Sequence, residues 1–479
     1  MQVRIDTRPL PVVILSRWWR FPVFVLLTFL LYYFYRSAPP EGLSVNGFRA
    51  LLVFFACIFL WVTQLLPMPV TGLFALVAPV LLGVVTEKQA YSFFGTEAVF
   101  FILGVFVLAT ALYKSGLSTR MALFLLKSGA KSPRRLIFQV MFTAAILSFV
   151  MSEHAVAAMM FPLIVIITKK LSATDPKANA YSSTLFLAMA WGCVIGGIAT
   201  MLGGARVPLA VGLLRDAYPE KIITFSQWSM AMFPLVVVLF TFCYLLLSRF
   251  YPIQISNVGE AEAIINQQIR DCGRLLMEEK FLALLLICTV AAWIFLGSIL
   301  STAAIAILSV VFLFMFRVVK WRHIQEQMEW GVILMYGGAI AMSSILNTTD
   351  AGKWFAQTFV QPHLSSPWTL VIALSLLTMA LTEALSNAAV VAIVVPLGLT
   401  IAKQFGMDPK VVVYAVASAS SMNYVLPMST PAVALAYSSG YLQIRKVIIP
   451  ASIMWVASWA TLMLTAKYWW PVLGVVVQK

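Results

Sequence analysis

The chain has 479 residues, 61% of them hydrophobic and 11% charged, with a mean hydropathy of +0.93. Soluble domains carry roughly 25% charged residues, so water alone cannot cover this surface and lipid must take much of it. The formal charge of +15 would suggest nucleic acid in a soluble protein. Here the basic residues sit at the ends of apolar runs, so they point to topology and no nucleic-acid partner is expected. Cys57, Cys193, Cys243, Cys272 and Cys288 are scattered without a CxxC or a neighbouring His, which supports neither a disulfide framework nor a transition-metal site.

In chain order, Arg4, Arg8, Arg17 and Arg20 precede the apolar run 21–35. That lead is too long for a cleavable signal and no small-residue cleavage site follows. Residues 1–20 are read as a cytoplasmic segment and 21–36 as the first span. A crossing needs about 20 apolar residues, which predicts further spans near 48–66, 69–86, 98–113, 181–214, 228–249, 280–298, 300–317, 330–346, 411–440 and 447–466, about 11 in all. Stretches 136–169 and 367–402 are too long for one helix and polar in the middle. Each predicts a re-entrant hairpin of two half-length helices. The polar connector 251–279, with Glu260, Glu262, Arg270, Asp271, Glu278 and Glu279, predicts an amphipathic cytoplasmic linker, at its simplest a passive tether. His323 and His363 are expected in loops, and most Trp and Phe side chains at lipid or its interface.

With the N-terminus inside, most Lys and Arg residues fall on the cytoplasmic side, among them Lys114, Lys127, Lys131, Lys169, Lys177, Arg270, Lys320 and Arg322; this is the positive-inside bias. Arg206 is left within the membrane. The expected location is therefore a multi-pass position in a membrane, the bacterial inner membrane by preference.

An internal repeat underlies the pattern. The pattern of 104–116 returns at 338–350. Ser148, Ser152-Glu153-His154-Ala155 and Pro162-Leu163 return as Thr382, Ser386-Asn387-Ala388-Ala389 and Pro396-Leu397, again shifted by 234. Leu202–Pro208 stands opposite Met428–Ala434, shifted by 226. An odd number of crossings between the hairpins inverts the second copy. Broken helices at mid-membrane expose backbone that only protein or a water-filled cavity can satisfy. Their N-terminal N–H groups suit an anion and their free carbonyls a cation.

Each break then carries candidate chemistry. Ser386 and Asn387 offer a hydroxyl and an amide before a new helix, with Thr382 one turn earlier. Leu426-Pro427-Met428-Ser429-Thr430-Pro431 sets two prolines around a polar pair, freeing carbonyls. At the first tip stand Ser152, Glu153 and His154, and Arg206 lies in the break facing them. An intramembrane charge marks a pathway, an ion site or a relay. Four roles are open: a purely structural Glu153–Arg206 bridge, Glu153 as proton carrier or cation ligand, Arg206 gripping a substrate's negative charge, and His154 titrating with substrate. Glu383 reads as a local cap.

At these residues the sequence resembles the divalent anion:sodium symporter family of dicarboxylate, citrate and sulfate transporters. That family carries Ser-Asn-Thr at each hairpin tip and Thr-Pro-Pro in each broken helix. Ser386-Asn387-Ala388 and Thr430-Pro431-Ala432 keep two of three, and Gly196–Gly203 resembles the run before the first Thr-Pro-Pro. The resemblance spans about 45–470. It implies an all-α, polytopic, inverted-repeat protein that works as a homodimer by an elevator motion. Scaffold parts would be 21–130 and 280–365. Transport parts would be 131–250 (hairpin 132–171, broken helix 181–214) and 366–479 (hairpin 367–402, broken helix 411–440).

By position, Thr382, Leu385, Asn387 and Ser429 would form a second sodium site, and Ser148, Ser152, Glu153 and Gly203 a first. Ser152, His154, Arg206, Ser386, Asn387, Thr430 and Pro431 would face a small anionic substrate. The first repeat departs from the family: Ser152-Glu153-His154 replaces Ser-Asn-Thr, and Gly204-Ala205-Arg206-Val207 replaces Thr-Pro-Pro-Asn. The reading that follows is Arg206 standing in for the first sodium, neutralised by Glu153. Proton coupling or anion exchange through Glu153, His154 and Arg206 competes with it. So does a cation/proton antiporter using Glu153. A non-transporting membrane sensor is the alternative from another class. No HExxH or GxSxG motif points to an enzyme, and no cofactor beyond the coupling ion is expected.

Overall fold

The computed structural model describes residues 20–477 apart from 130–131, 176–177, 252, 254, 256, 298, 361 and 363–365. The segment before Arg20, together with Lys131, Lys177 and His363, lies outside the described residues. The described chain is helical, without strands. Eight of its helices are long and apolar enough to cross a membrane, and shorter apolar helices lie between them. Three predicted spans are among the short ones, the first of them Phe21–Arg36, as short as its apolar run. Met68–Leu81 opens after Pro67 and ends before Gly83 at φ 68°, and Thr302–Met315 ends before Arg317 at φ 55°. A left-handed residue after the last turn stops a helix, so the apolar runs continue but the helices do not.

Both hairpins are broken at their tips. The first has arms Pro133–Leu147 and Glu153–Thr174, and the second has arms Pro367–Thr382 and Asn387–Gln404. Each second arm starts from a serine N-cap. Ser152 Oγ accepts the Ala155 N–H at 3.4 Å, and Ser386 Oγ accepts that of Ala389 at 3.3 Å. Serine is favoured there because its hydroxyl satisfies one orphan donor of the first turn. The spans after the hairpins are broken as well, into Ala178–Gly196 with Arg206–Ala217, and Pro409–Ala419 with Pro431–Ser438.

These halves interlock crosswise. Arg206–Ala217 packs on Asn387–Gln404 of the second hairpin, and Pro431–Ser438 packs on Glu153–Thr174 of the first. The remaining helices repeat one contact twice. Glu97–Lys114 crosses Thr302–Met315, and Trp330–Thr348 crosses Met68–Leu81. Gly104 faces Ala306 at the first crossing and Gly338 faces Gly72 at the second. Gly72 and Gly104 stand to Ala306 and Gly338 as Glu153 stands to Asn387, 234 positions away. Small residues at both crossings let the backbones approach closely, the usual device of membrane helix pairs.

Three expectations change. The connector is not slack: Gly259–Asp271 is a helix that buries Ala261 and Ile265 and packs on Leu117–Lys127 and Glu153–Thr174. Its end is held by Arg120, whose guanidinium meets Glu279 at 2.6 Å and the carbonyls of Cys272, Gly273 and Arg274 at 2.5, 2.8 and 3.1 Å. His323 lies in a short helix, Trp321–Gln327, not a loop. Glu383 reaches beyond local capping, as described below.

The crossing at Gly338 gives a test. A Cβ there would overlap the Gly72 backbone, so Gly338→Leu should lower the thermal midpoint in detergent by an overpacking cost of about 1–3 kcal/mol or more. Gly95→Ala, where an added Cβ meets nothing within 4 Å, should leave it unchanged.

Candidate functional site

The two hairpin tips meet. Glu153 and Asn387 hold the same place in the two repeats, 234 positions apart, and Asn387 Nδ2 donates to Glu153 Oε1 at 3.4 Å. Arg206 arrives from the first broken helix. Its Nη2 donates to Glu153 Oε2 at 3.2 Å and to the Gly197 carbonyl at 3.0 Å, and its Nε donates to Ser421 Oγ of the second broken span. Glu153 is fully buried and Arg206 is 2% exposed. Either charge alone at this depth would cost several kcal/mol; together, with neutral partners on three sides, they cancel. Gly197 makes the room, since a Cβ on it would lie 2.8 Å from Glu153 Oε2 and 2.9 Å from Arg206 Nη2.

The chain of contacts continues into the second repeat. Asn423 Nδ2 donates to Asn387 Oδ1 at 2.7 Å and to the Ser429 carbonyl at 3.2 Å. Two further contacts stitch each break to its hairpin. Thr200 Oγ1 donates to the Phe149 carbonyl at 2.6 Å, and the Glu383 carboxylate accepts the N–H groups of Tyr424, Val425 and Leu426 at 3.1, 3.3 and 2.9 Å.

A cavity of about 340 Å³ opens between the tips, lined by Ser152, Glu153, His154, Arg206, Ser386 and Asn387, with Met68, Pro69, Val332 and Met335 opposite. A second cavity of about 460 Å³ shares Phe106, Ser152, His154 and Glu329 with it and extends past Tyr113 and Gln327 to Pro431. Six of the seven residues expected to face substrate therefore line this paired space. Thr430 does not. It is buried, and its hydroxyl caps Pro431–Ser438 by accepting the Val433 N–H at 3.1 Å.

The residues expected to bind cations differ between the halves. In the first, Ser148 Oγ is buried without a hydrogen-bond partner among the described residues, but the Gly203 carbonyl already accepts the Glu153 N–H at 3.1 Å and Glu153 is tied to Arg206. The Arg206 guanidinium thus stands within this cluster, 3.2 Å from Glu153 Oε2. In the second, Thr382 and Leu385 are buried beside the break, and Asn387 Oδ1 and the Ser429 carbonyl converge on Asn423. Asn423 Oδ1 and Ser429 Oγ are buried there without partners among the described residues. Such uncommitted oxygen is the donor type a hard monovalent ion takes, and the fixed cation that reaches this break, Arg206 at Ser421, is neutralised by Glu153.

Ser421, Asn423 and Glu329 escape the motif reading. The run Ser420-Ser421-Met422-Asn423, three polar residues in four inside an apolar span, was the available signal for the first two. Glu329 carries none, because a glutamate before an apolar helix looks like ordinary interfacial charge.

Comparisons with known proteins speak to the family and the fold. The sodium:sulfate symporter transmembrane region matches residues 15–476. The sodium-dependent dicarboxylate transporter SdcS of Staphylococcus saprophyticus is 24% identical over 450 residues, covering 89% of this chain and 85% of that protein. SdcS of Staphylococcus aureus is 25% identical over 451 residues, with the same coverage. Among solved structures, MtrF of Neisseria gonorrhoeae, from a class of antimetabolite efflux pumps, aligns with a TM-score of 0.56 at 16% identity, covering 92% of this chain and 97% of that one. The YdaH transporter of Alcanivorax borkumensis aligns with a TM-score of 0.55 at 16% identity, covering 98% and 100%. At that identity the two structures speak for the fold alone. The match over nearly the whole length makes this chain a member of the sodium:sulfate symporter family, a multi-pass membrane transporter and not an enzyme.

Proposed function

We propose that the protein is a secondary active transporter of a small anion, cotransported with one sodium ion held in the second repeat. The first cation position is taken by the side chain of Arg206. One observation carries this: a buried guanidinium, already neutralised by Glu153 at 3.2 Å, stands in the half whose equivalent carries uncommitted buried oxygens instead. The substrate rests between the tips, where the serine-capped arms starting at Glu153 and Asn387 present their positive ends. Dicarboxylates and sulfate are the first candidates, from the relatives' names.

Alternating access by an elevator motion is part of the proposal, as are the cytoplasmic N-terminus and a homodimer built on the scaffold helices. In the positive-inside orientation the paired cavity opens beside Tyr113 and Gln327, hence toward the cytoplasm. The far end is closed by an ion pair between Arg215 of the transport part and Glu97 of the scaffold, where Gly212 abuts Ala98. Proton coupling is the second reading. It is favoured by His154, whose Nδ1 lies 3.8 Å from Glu153 Oε1 at the cavity wall.

Uptake of labelled succinate or sulfate into proteoliposomes, driven separately by sodium and proton gradients, separates these readings: sodium drive is expected. Asn387→Ala should reduce sodium-driven uptake by about tenfold or more, the loss of a hydrogen-bonded polar group of roughly 1.5 kcal/mol. Ser148→Ala should change it little. Equal losses would count against the asymmetric site.

The Glu97–Arg215 contact supplies a second experiment. In a cysteine-free background, joining Glu97→Cys to Arg215→Cys with a short bifunctional thiol reagent should abolish uptake, and a reducible reagent should allow recovery. Full uptake in the joined protein would refute relative movement of the two parts.

A further inference from the structure

We propose that the transported acid carries an amino group, and that Glu329 on the scaffold wall is the residue that selects for it. This rests on the anion-transport reading above and narrows its substrate class.

The charges facing the paired cavity are few. Glu153, His154, Arg206 and Glu329 are the titratable side chains of the space between the tips, and the adjoining space adds the Tyr113 phenol. Arg206 is the only Lys or Arg lining either space among the described residues. Most of it is spoken for: Glu153, Gly197 and Ser421 take its Nε and Nη2 donors, Glu153 neutralises its charge at 3.2 Å, and Nη1 alone is left for a ligand. Asn387 is committed too, its amide nitrogen to Glu153 and its oxygen to Asn423. The attraction left for an anion comes from the Arg206 Nη1 donors and from two half-helix N-termini, each equivalent to about half a positive charge. Set against the carboxylate of Glu329 in the same space, the two helix ends leave little net charge, so the space suits a solute that carries a positive group as well as negative ones.

Glu329 stands on the other side. It precedes Trp330–Thr348, is exposed to both spaces, and its carboxylate makes no ion pair or side-chain hydrogen bond among the described residues. An unpaired carboxylate in a concave, partly apolar space disfavours a second negative charge by Coulomb repulsion, and at short range that effect is large enough to set specificity. The same carboxylate rewards an ammonium with a charge-assisted hydrogen bond. A solute whose carboxylate sits on the tips and whose amino group faces Glu329 satisfies both walls. A simple dianion satisfies only one.

The test compares acids that differ only by that group. Wild-type protein, purified in detergent with sodium, is titrated with aspartate against succinate and with glutamate against glutarate. Binding is followed by the thermal midpoint in detergent and by competition with uptake of labelled aspartate into proteoliposomes. The amino acids are expected to bind about tenfold or more tightly than their unsubstituted partners. Glu329→Gln should shrink that preference about tenfold, mainly by improving binding of the dianions, with the unliganded midpoint unchanged. Wild-type protein that prefers succinate and glutarate, or a preference that survives E329Q, would overturn the assignment while leaving anion transport standing. No response to any of the four acids, with or without sodium, would overturn both.

Discussion

Everything in this fold depends on how four breaks in helices are satisfied away from water. A peptide group without a partner at membrane depth costs several kcal/mol, and each break exposes several. The solution is reciprocal: each broken span is tied by side chains from a hairpin, and each hairpin by the span. Glu383 alone takes three consecutive N–H groups of the second break. Thr200 returns a hydroxyl to Phe149 at the first tip, and Trp228 donates its indole N–H to Ile198 at 3.0 Å. The breaks are therefore kept open by fixed partners, and the helix N-termini between them stay available because their neighbours are not.

The two repeats solve the same problem with different charges. The second uses neutral amides: Asn387 and Asn423 hold each other and the Ser429 carbonyl. The first uses full charges, Glu153 and Arg206, in the equivalent volume. Replacing a buried ion pair by neutral groups often costs nothing, whereas removing one partner costs about 3–5 kcal/mol. Glu153 and Arg206 are thus bound to each other as substitutions, and neither makes sense alone. Ser421, across the repeat boundary, receives the Arg206 Nε, so the pair also binds the two broken spans together.

Much of this was legible in the sequence because the bilayer restricts what a sequence can do. Long apolar runs with polar centres have few solutions, so the hairpins could be read at 136–169 and 367–402, and Arg206 could be set opposite Glu153 before any coordinates. The constant shift of 234 did the rest. What could not be read is what depends on rotation rather than position. Ser421 and Asn423 look like small polar residues of an ordinary span until the break turns them toward Arg206 and Asn387. Met68–Leu81 and Thr302–Met315 look long enough to cross, and only the left-handed residues Gly83 and Arg317 shorten them. The connector's docking is likewise invisible, since Ala261 and Ile265 mark an amphipathic helix but not the surface it finds.

The tethered guanidinium has a consequence for energetics. A free sodium ion that enters with substrate and leaves inside contributes its gradient to the cycle. In the proposed cycle the charge of Arg206 travels with the moving part and returns with it, so over a full cycle it contributes nothing. It can hold the site's shape and local potential, but it cannot drive uptake. A transporter built this way concentrates substrate less steeply for each cycle than one with two exchangeable ions. The proposed stoichiometry then fits an acid of one net charge, because one sodium and one such acid cross together without moving net charge. A dianion on the same machinery would carry a net negative charge inward against a membrane potential that is negative inside, at about 2.3 kcal/mol per 100 mV. The unpaired carboxylate of Glu329 and the fixed cation of Arg206 therefore point the same way: the first lowers the charge the cavity accepts, and the second lowers the charge the cycle can carry.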